Sequence, residues 1–208
     1  VKQERRRVYI VSDLHLGGAP GDPEATDERR RRGFRMMTNP AKLAAFVASL
    51  AKEPADAPTI ELVVNGDFVD FLAEEHDGPS PWIPFLFARG RAVETFTSIS
   101  TRSGDSGDAQ VFDALADFVA NGHRLTVLLG NHDLELALPD VRTALMARIG
   151  AQRSSLIQFL YDGEAYAVGD AIIEHGNQYD PANFVDHDGL RRARERRTRG
   201  FYDRQAEH

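Results

Sequence analysis

Four apolar runs in this chain each break off into a cluster of groups that bind metal ions. Tyr9-Ile10-Val11 leads into Ser12-Asp13-Leu14-His15, and Leu62-Val63-Val64 into Asn65-Gly66-Asp67-Phe68-Val69-Asp70. Thr126-Val127-Leu128-Leu129 leads into Gly130-Asn131-His132-Asp133, and Ala171-Ile172-Ile173 into Glu174-His175-Gly176-Asn177. Short runs of β-branched and large apolar residues read as buried strands. Open α/β sheets bind ligands at the carboxyl ends of their strands, so the clusters are expected along one sheet edge. A turn residue or a helix cap explains any single cluster. Four in succession, each at a strand end, call for a common cause.

The chain alternates strand and helix over most of its length, an α/β pattern. Strands are expected over 8–11, 60–64 and 124–129. Asn39 is a good N-cap and Pro40 suits the first helical position, where its missing N–H costs little. Leu43, Phe46, Val47 and Leu50 follow at helical spacing and should face inward. Asp108 should cap a helix over 109–121, with Val111, Leu115, Phe118 and Val119 inward and Asn121-Gly122 as its stop. A shorter helix near 140–149 carries Val141, Leu145 and Ile149. Residues 157–161 and 165–173 read as antiparallel strands joined at Asp162-Gly163-Glu164. Two long loops are expected, 17–38 and 74–106. The second holds Pro79, Pro81 and Pro84 around Trp82, Phe85 and Phe87, either packed on the core or walling the site as a lid. Residues 188–208 read as a charged tail.

At 208 residues the chain suits one domain with a single core. The net charge of −7 argues against broad nucleic-acid binding. It leaves room for a phosphorylated substrate, because bound cations concentrate positive charge locally. No apolar stretch approaches the roughly 20 residues that span a bilayer, and residues 1–7 lack the apolar core of a signal peptide. There are no cysteines, which removes disulfides and thiolate sites and fits a reducing, cytoplasmic setting. The composition leaves the oligomeric state open. A nucleotide-binding reading of Gly17-Gly18-Ala19-Pro20-Gly21 is poor, since no helix start follows it directly.

Asp13 and His15 are separated by one residue, so on an extended strand end both point to the same side and can grip one ion together. Asp67 follows a glycine, where the backbone can turn sharply, and its two oxygens allow one carboxylate to bridge two cations. Asn131 offers a carbonyl oxygen and His175 a further nitrogen. Oxygen and imidazole ligands without thiolates suit manganese, iron or zinc. His132, next to Asn131, has a different geometry open to it and can protonate a leaving oxygen. Asp70 can hold that imidazole in the right tautomer.

Taken together, Asp13-Leu14-His15, Gly66-Asp67-Phe68-Val69-Asp70, Gly130-Asn131-His132-Asp133 and His175-Gly176 resemble the calcineurin-like metallophosphoesterases, in the same order along the chain. The resemblance implies a two-sheet β-sandwich flanked by helices, in α-β-β-α layers. It implies that Asp13 and His15 bind a first divalent metal, that Asp67 bridges two, and that Asn131 and His175 bind the second. His132 would be the general acid, oriented by Asp70, in hydrolysis of a phosphomonoester, phosphodiester or pyrophosphate bond by a metal-bridging hydroxide. The family adds a late Gly-His-x-His segment that this sequence lacks; after His175 only His187 and His208 remain. The expectation is a chain that stops before that segment. The alternative is a catalytically impaired binding or scaffold module. Phe71 stands where the protein serine/threonine phosphatase branch has arginine. The stretch from His175 to Pro181 is similar to bacterial members, including relatives of lipid-precursor pyrophosphatases. The partner expected is therefore a phosphorylated small molecule or lipid precursor.

Overall fold

Strand β2 (Thr59–Asn65) is buried along nearly its whole length, as a central strand covered on both faces must be. It pairs in parallel with β1 (Arg6–Val11) on one side and β3 (Arg124–Leu128) on the other. β4 (Ile157–Leu160) adds to β3, again in parallel, so the sheet order is β1-β2-β3-β4. The computed structural model describes residues 6–18, 21, 24, 26, 34–52, 59–74, 89–104, 107–192 and 195.

Parallel strands laid down in chain order move across a sheet in one direction, and right-handed crossovers then put the connecting helices on one face. The packing follows that rule. Leu62, Val64, Leu125 and Val127 share one core with Val47 and Leu50 of α1 (Pro40–Leu50), Phe96 and Ile99 of α2 (Arg89–Thr101), Phe112 and Leu115 of α3 (Ala109–Ala120), and Leu145 and Ile149 of α4 (Pro139–Ile149). The alternate residues Val63 and Leu128 face the other way. They meet Ile173, Tyr166 and Val168 of an antiparallel pair, β5 (Tyr166–Val168) and β6 (Ala171–Ile173). The architecture is mixed α/β, with a four-stranded parallel sheet, a two-stranded antiparallel sheet and helices.

Local signals set several boundaries. Asn39 caps α1 as expected, its Oδ1 accepting the Lys42 N–H at 3.1 Å with Pro40 opening the helix. Phe46 sits at the rim of the buried face, 38% exposed and edge-on to Tyr9. Asp108 precedes α3 but makes no cap bond. Its fully buried carboxylate instead takes the Arg35 guanidinium, at 2.5 and 3.1 Å.

Two expectations are corrected. The reading of 74–106 as loop throughout fails at α2, whose Ala92, Phe96 and Ile99 recur at helical spacing and are buried. Trp82, Phe85, Phe87 and His76 lie outside the described residues, as does most of the 188–208 tail. The hairpin of 157–161 with 165–173 is also replaced. Residues 157–160 extend the parallel sheet, and the hairpin lies wholly within 166–173, turning at Gly169-Asp170.

One buried acid joins the two sheets. Glu61, with no exposure in mid β2, accepts from Arg6 at 2.6 Å, Thr126 Oγ1 at 2.7 Å and the Tyr166 hydroxyl at 2.6 Å. Removing one member of a buried charged network strands its partners. Glu61→Ala should therefore cost about 3 kcal/mol, and Tyr166→Phe about 1 kcal/mol, in urea unfolding. Equal small losses in the two variants would show that the acid is not the joint between the sheets.

Candidate metal centre

The loops after β1 and β2 continue to bond to each other beyond the strands. Asp13 N–H donates to the Gly66 carbonyl at 3.3 Å, His15 N–H to Asp67 at 2.8 Å, and Leu16 N–H to Phe68 at 3.0 Å, while Asp70 N–H returns to Leu16 at 2.8 Å. Within this ladder Asp13, His15 and Asp67 have φ of 55°, 45° and 50°. This corrects the extended strand end expected for Asp13 and His15: each takes a left-handed turn. Such a turn costs a non-glycine residue about 1 kcal/mol or more and persists only where the surroundings over-determine it. Here the fully buried Leu16, Phe68 and Val69 do so. Phe68 lies 5.6 Å from the Phe112 ring in the core.

The third loop is knotted to the second. Asp133, fully buried, accepts the Gly130 N–H at 2.7 Å and the Phe68 N–H at 2.8 Å. The His132 N–H donates to Asp67 Oδ1 at 2.9 Å. A Cβ on Gly130 would lie 2.1 Å from that Oδ1, and one on Gly66, at φ +76°, would lie 2.3 Å from the His175 ring. Both positions need glycine because the Asp67 and His175 side chains fill the space.

The ring nitrogens are assigned by their partners. His15 Nδ1 lies 2.9 Å from Asp70 Oδ2, and His175 Nδ1 lies 2.8 Å from the Asn65 carbonyl. The carbonyl can only accept, and so can the ionised carboxylate, so each Nδ1 carries the proton. Each Nε2 then faces Asp67 Oδ2, at 3.7 Å for His15 and 3.3 Å for His175. His132 Nδ1 lies 3.1 Å from Asp70 Oδ1, so Asp70 serves both His15 and His132 as well as the Ala73 N–H.

Electrostatics follow from these contacts. Burial works to raise the Asp67 carboxyl, but the His175 and His132 bonds outweigh it and its pKa falls. Asp70 behaves likewise, lowered against its burial by His132 and His15. His132 is raised, chiefly by its bond to Asp70. His175 is pushed up to about 9, first by Asp67. Burial lifts Asp133 to about 7 despite its two N–H bonds.

Asp13, His15, Asp67, Asn131, His132 and His175 all line one cavity of about 410 Å³, while Asp70 lies buried behind it. Two trios offer ligand atoms within 4.8 Å of one another: Asp13, Asp67 and His175, and His15, Asp67 and His132. Oxygen and imidazole donors with Nδ1 protons locked outward fit a divalent cation at Nε2 and carboxylate oxygen. His187 is not brought there; its ring packs on Gly163, at the margin of a separate cleft bordered by His175. Sequence reasoning missed Asp133 as the knot between loops, and it missed Asp180 and Asn183 on the cavity wall. Asp133 was visible in the motif, but only its burial reveals the work it does.

The family model for calcineurin-like phosphoesterases matches residues 6–207. The chain belongs to that family. No match was found among curated proteins or among solved structures. The family and the His/Asp clusters support a metal-dependent phosphoesterase acting on phosphate esters. Among the described residues no helix is long and apolar enough to cross a membrane.

Asp133→Ala should leave two buried N–H groups unpaired and cost about 2–4 kcal/mol in urea unfolding. A variant as stable as the parent would show that the knot is dispensable. Proton linkage gives a second test. His175 is protonated below about 9, and a cation held at its Nε2 would displace that proton. Manganese affinity, titrated calorimetrically, should tighten by about tenfold between pH 6.5 and 7.5. A flat profile would place the cation elsewhere. The same raised pKa stabilises the metal-free fold fully below the free-histidine value of 6.5, a contribution lost as pH climbs through about 9.

Proposed function

We propose that this chain hydrolyses a phosphomonoester, phosphodiester or pyrophosphate bond, with Asp13, His15, Asp67, Asn131 and His175 holding two divalent cations and His132 acting as general acid. The observation that carries this reading is the sharing of Asp67. Its Oδ1 is anchored by the His132 N–H, and its Oδ2 faces the Nε2 of His175 at 3.3 Å and the Nε2 of His15 at 3.7 Å. Manganese, iron or zinc ions held there would supply positive charge for the phosphoryl oxygens and acidify a water.

The residues themselves do the positioning and the proton work. Asp70 keeps the His132 Nδ1 proton in place and favours the imidazolium, so the proton on Nε2 is available to a departing oxygen. His132 shares a loop with Asn131, and its N–H fixes Asp67, so the acid and the cation ligands move as one body. The substrate class suggested by the family is a phosphorylated small molecule or lipid precursor, acted on in the cytoplasm. The two sheets, meeting at Val63, Leu128 and Ile173, fit the two inner layers of the family's α-β-β-α sandwich.

The test is hydrolysis of aryl and alkyl phosphate mono- and diesters with added manganese. Asn131→Ala should reduce turnover on every substrate. His132→Ala should cost about 10²–10⁴-fold on alkyl esters, whose leaving oxygen needs a proton, and far less on p-nitrophenyl esters. Absence of metal-dependent turnover, or an Asn131→Ala variant that keeps full activity, sinks the assignment. The protein would then be better read as a scaffold on the same fold.

A further inference from the structure

Among the proposed ligands Asn131 has a particular difficulty. Its amide has two chemically opposite ends, and only Oδ1 can hold a cation; a flipped amide would present N–H donors instead. Something must fix which end faces the site. The group beside Asn131 Nδ2 is Asn183 Oδ1, at 3.5 Å, the long end of a hydrogen bond. Asn183 has the same ambiguity, and Asp180 resolves it. Asn183 Nδ2 donates to Asp180 Oδ2 at 2.7 Å, and an ionised carboxylate can only accept. Asn183 must therefore turn its oxygen towards Asn131, which answers with its NH₂ and leaves its own oxygen for the cavity.

The loop that does this is braced from within. Asp180 Oδ1 accepts the Ala182 N–H at 3.0 Å, and Asn183 N–H reaches the Asp180 carbonyl at 3.0 Å. Asn177 Nδ2 donates to the Asn183 carbonyl at 3.1 Å. Asp180 has ψ of 115°, the extended conformation that the following Pro181 favours. Asn177, Asp180 and Asn183 all line the same cavity as Asn131.

We infer that Asp180 and Asn183 are positioning residues that orient the Asn131 amide and so set the affinity of the cation Asn131 holds. The inference rests on the ligand set proposed above. Both side chains are exposed, so truncating them removes no core contact, and their effect should appear in metal binding rather than in stability.

The experiment is a double-mutant cycle on the full chain, read by calorimetric titration with manganese alone. Asn183→Ala should weaken binding by about tenfold, the lower end of what outer-sphere partners contribute. In the Asn131→Ala background the same substitution should change nothing further, because its effect passes through the missing amide. Asp180→Ala should behave in the same way. Additive losses in the cycle overturn the inference, and so does an Asn183→Ala variant with unchanged manganese affinity and a raised KM, which would put Asn183 on the substrate. If Asn131→Ala itself leaves manganese binding intact, the ligand assignment falls. If Asn131→Ala weakens binding while Asn183→Ala is inert, only the present inference falls.

Discussion

The division of labour between the two oxygens of Asp67 is the constraint around which this structure is arranged. Oδ1 is spent on architecture, taking the His132 N–H, and Oδ2 is left facing two imidazole Nε2 atoms. That division holds only if the carboxylate is turned through a left-handed backbone between two glycines. One of them leaves room for the His175 ring and the other for Asp67 itself. The parallel sheet supplies the frame. Strands in the order β1-β2-β3 deliver their following loops to one edge, and the buried Leu16 and Phe68 nail two of those loops to the helical core.

What could be read from the sequence was what local chemistry encodes. The strands β1 to β3 announced themselves as apolar runs, and α1 through its Asn39-Pro40 start. The gathering of Asp13, His15, Asp67, Asn131, His132 and His175 around one cavity followed from their places after strands. Features decided at long range were hidden. Asp108 looks like a cap for α3, but its carboxylate is taken by Arg35, far away in the chain. The spacing of Ala92, Phe96 and Ile99 was a legible sign of α2, obscured by serine and threonine between them and by prolines before them. The turn residues Asp162-Gly163 suggested a hairpin that parallel pairing of β4 with β3 overrode. Spacing also could not distinguish an acid that ligates from one, like Asp133, that ties two loops together.

A second network supports the site from the side. Asp108 holds Arg35 and lies 3.4 Å from Arg102, while Arg102 makes paired bonds to Glu74 at 2.7 and 2.9 Å and reaches the Gly18 carbonyl at 3.0 Å. Glu74 in turn accepts the Gly18 N–H at 2.8 Å. The network thus clasps the segment after His15 and the segment after Asp70 to the ends of α2 and α3. Buried ion pairs are poor sources of net stability, because desolvation offsets attraction. Here they tie separate segments together: Arg102 links Glu74, Asp108 and the Gly18 carbonyl, and Arg35 Nε donates to the Met37 carbonyl at 2.9 Å, beside Met36, which lines the cavity.

The buried carboxylates of the site each have protein partners. Asp67, Asp70 and Asp133 are held by N–H groups and imidazoles, and the proton on His175 offsets the carboxylate charge. In the proposed centre, a cation held by Asp67 and His175 would exchange with the proton on His175. Protein bonds that hold side chains in place lower the ordering cost of binding a ligand there. Under the proposed ligand set, the proton on His175 and the orientation of the Asn131 amide are the two features that would tune the centre.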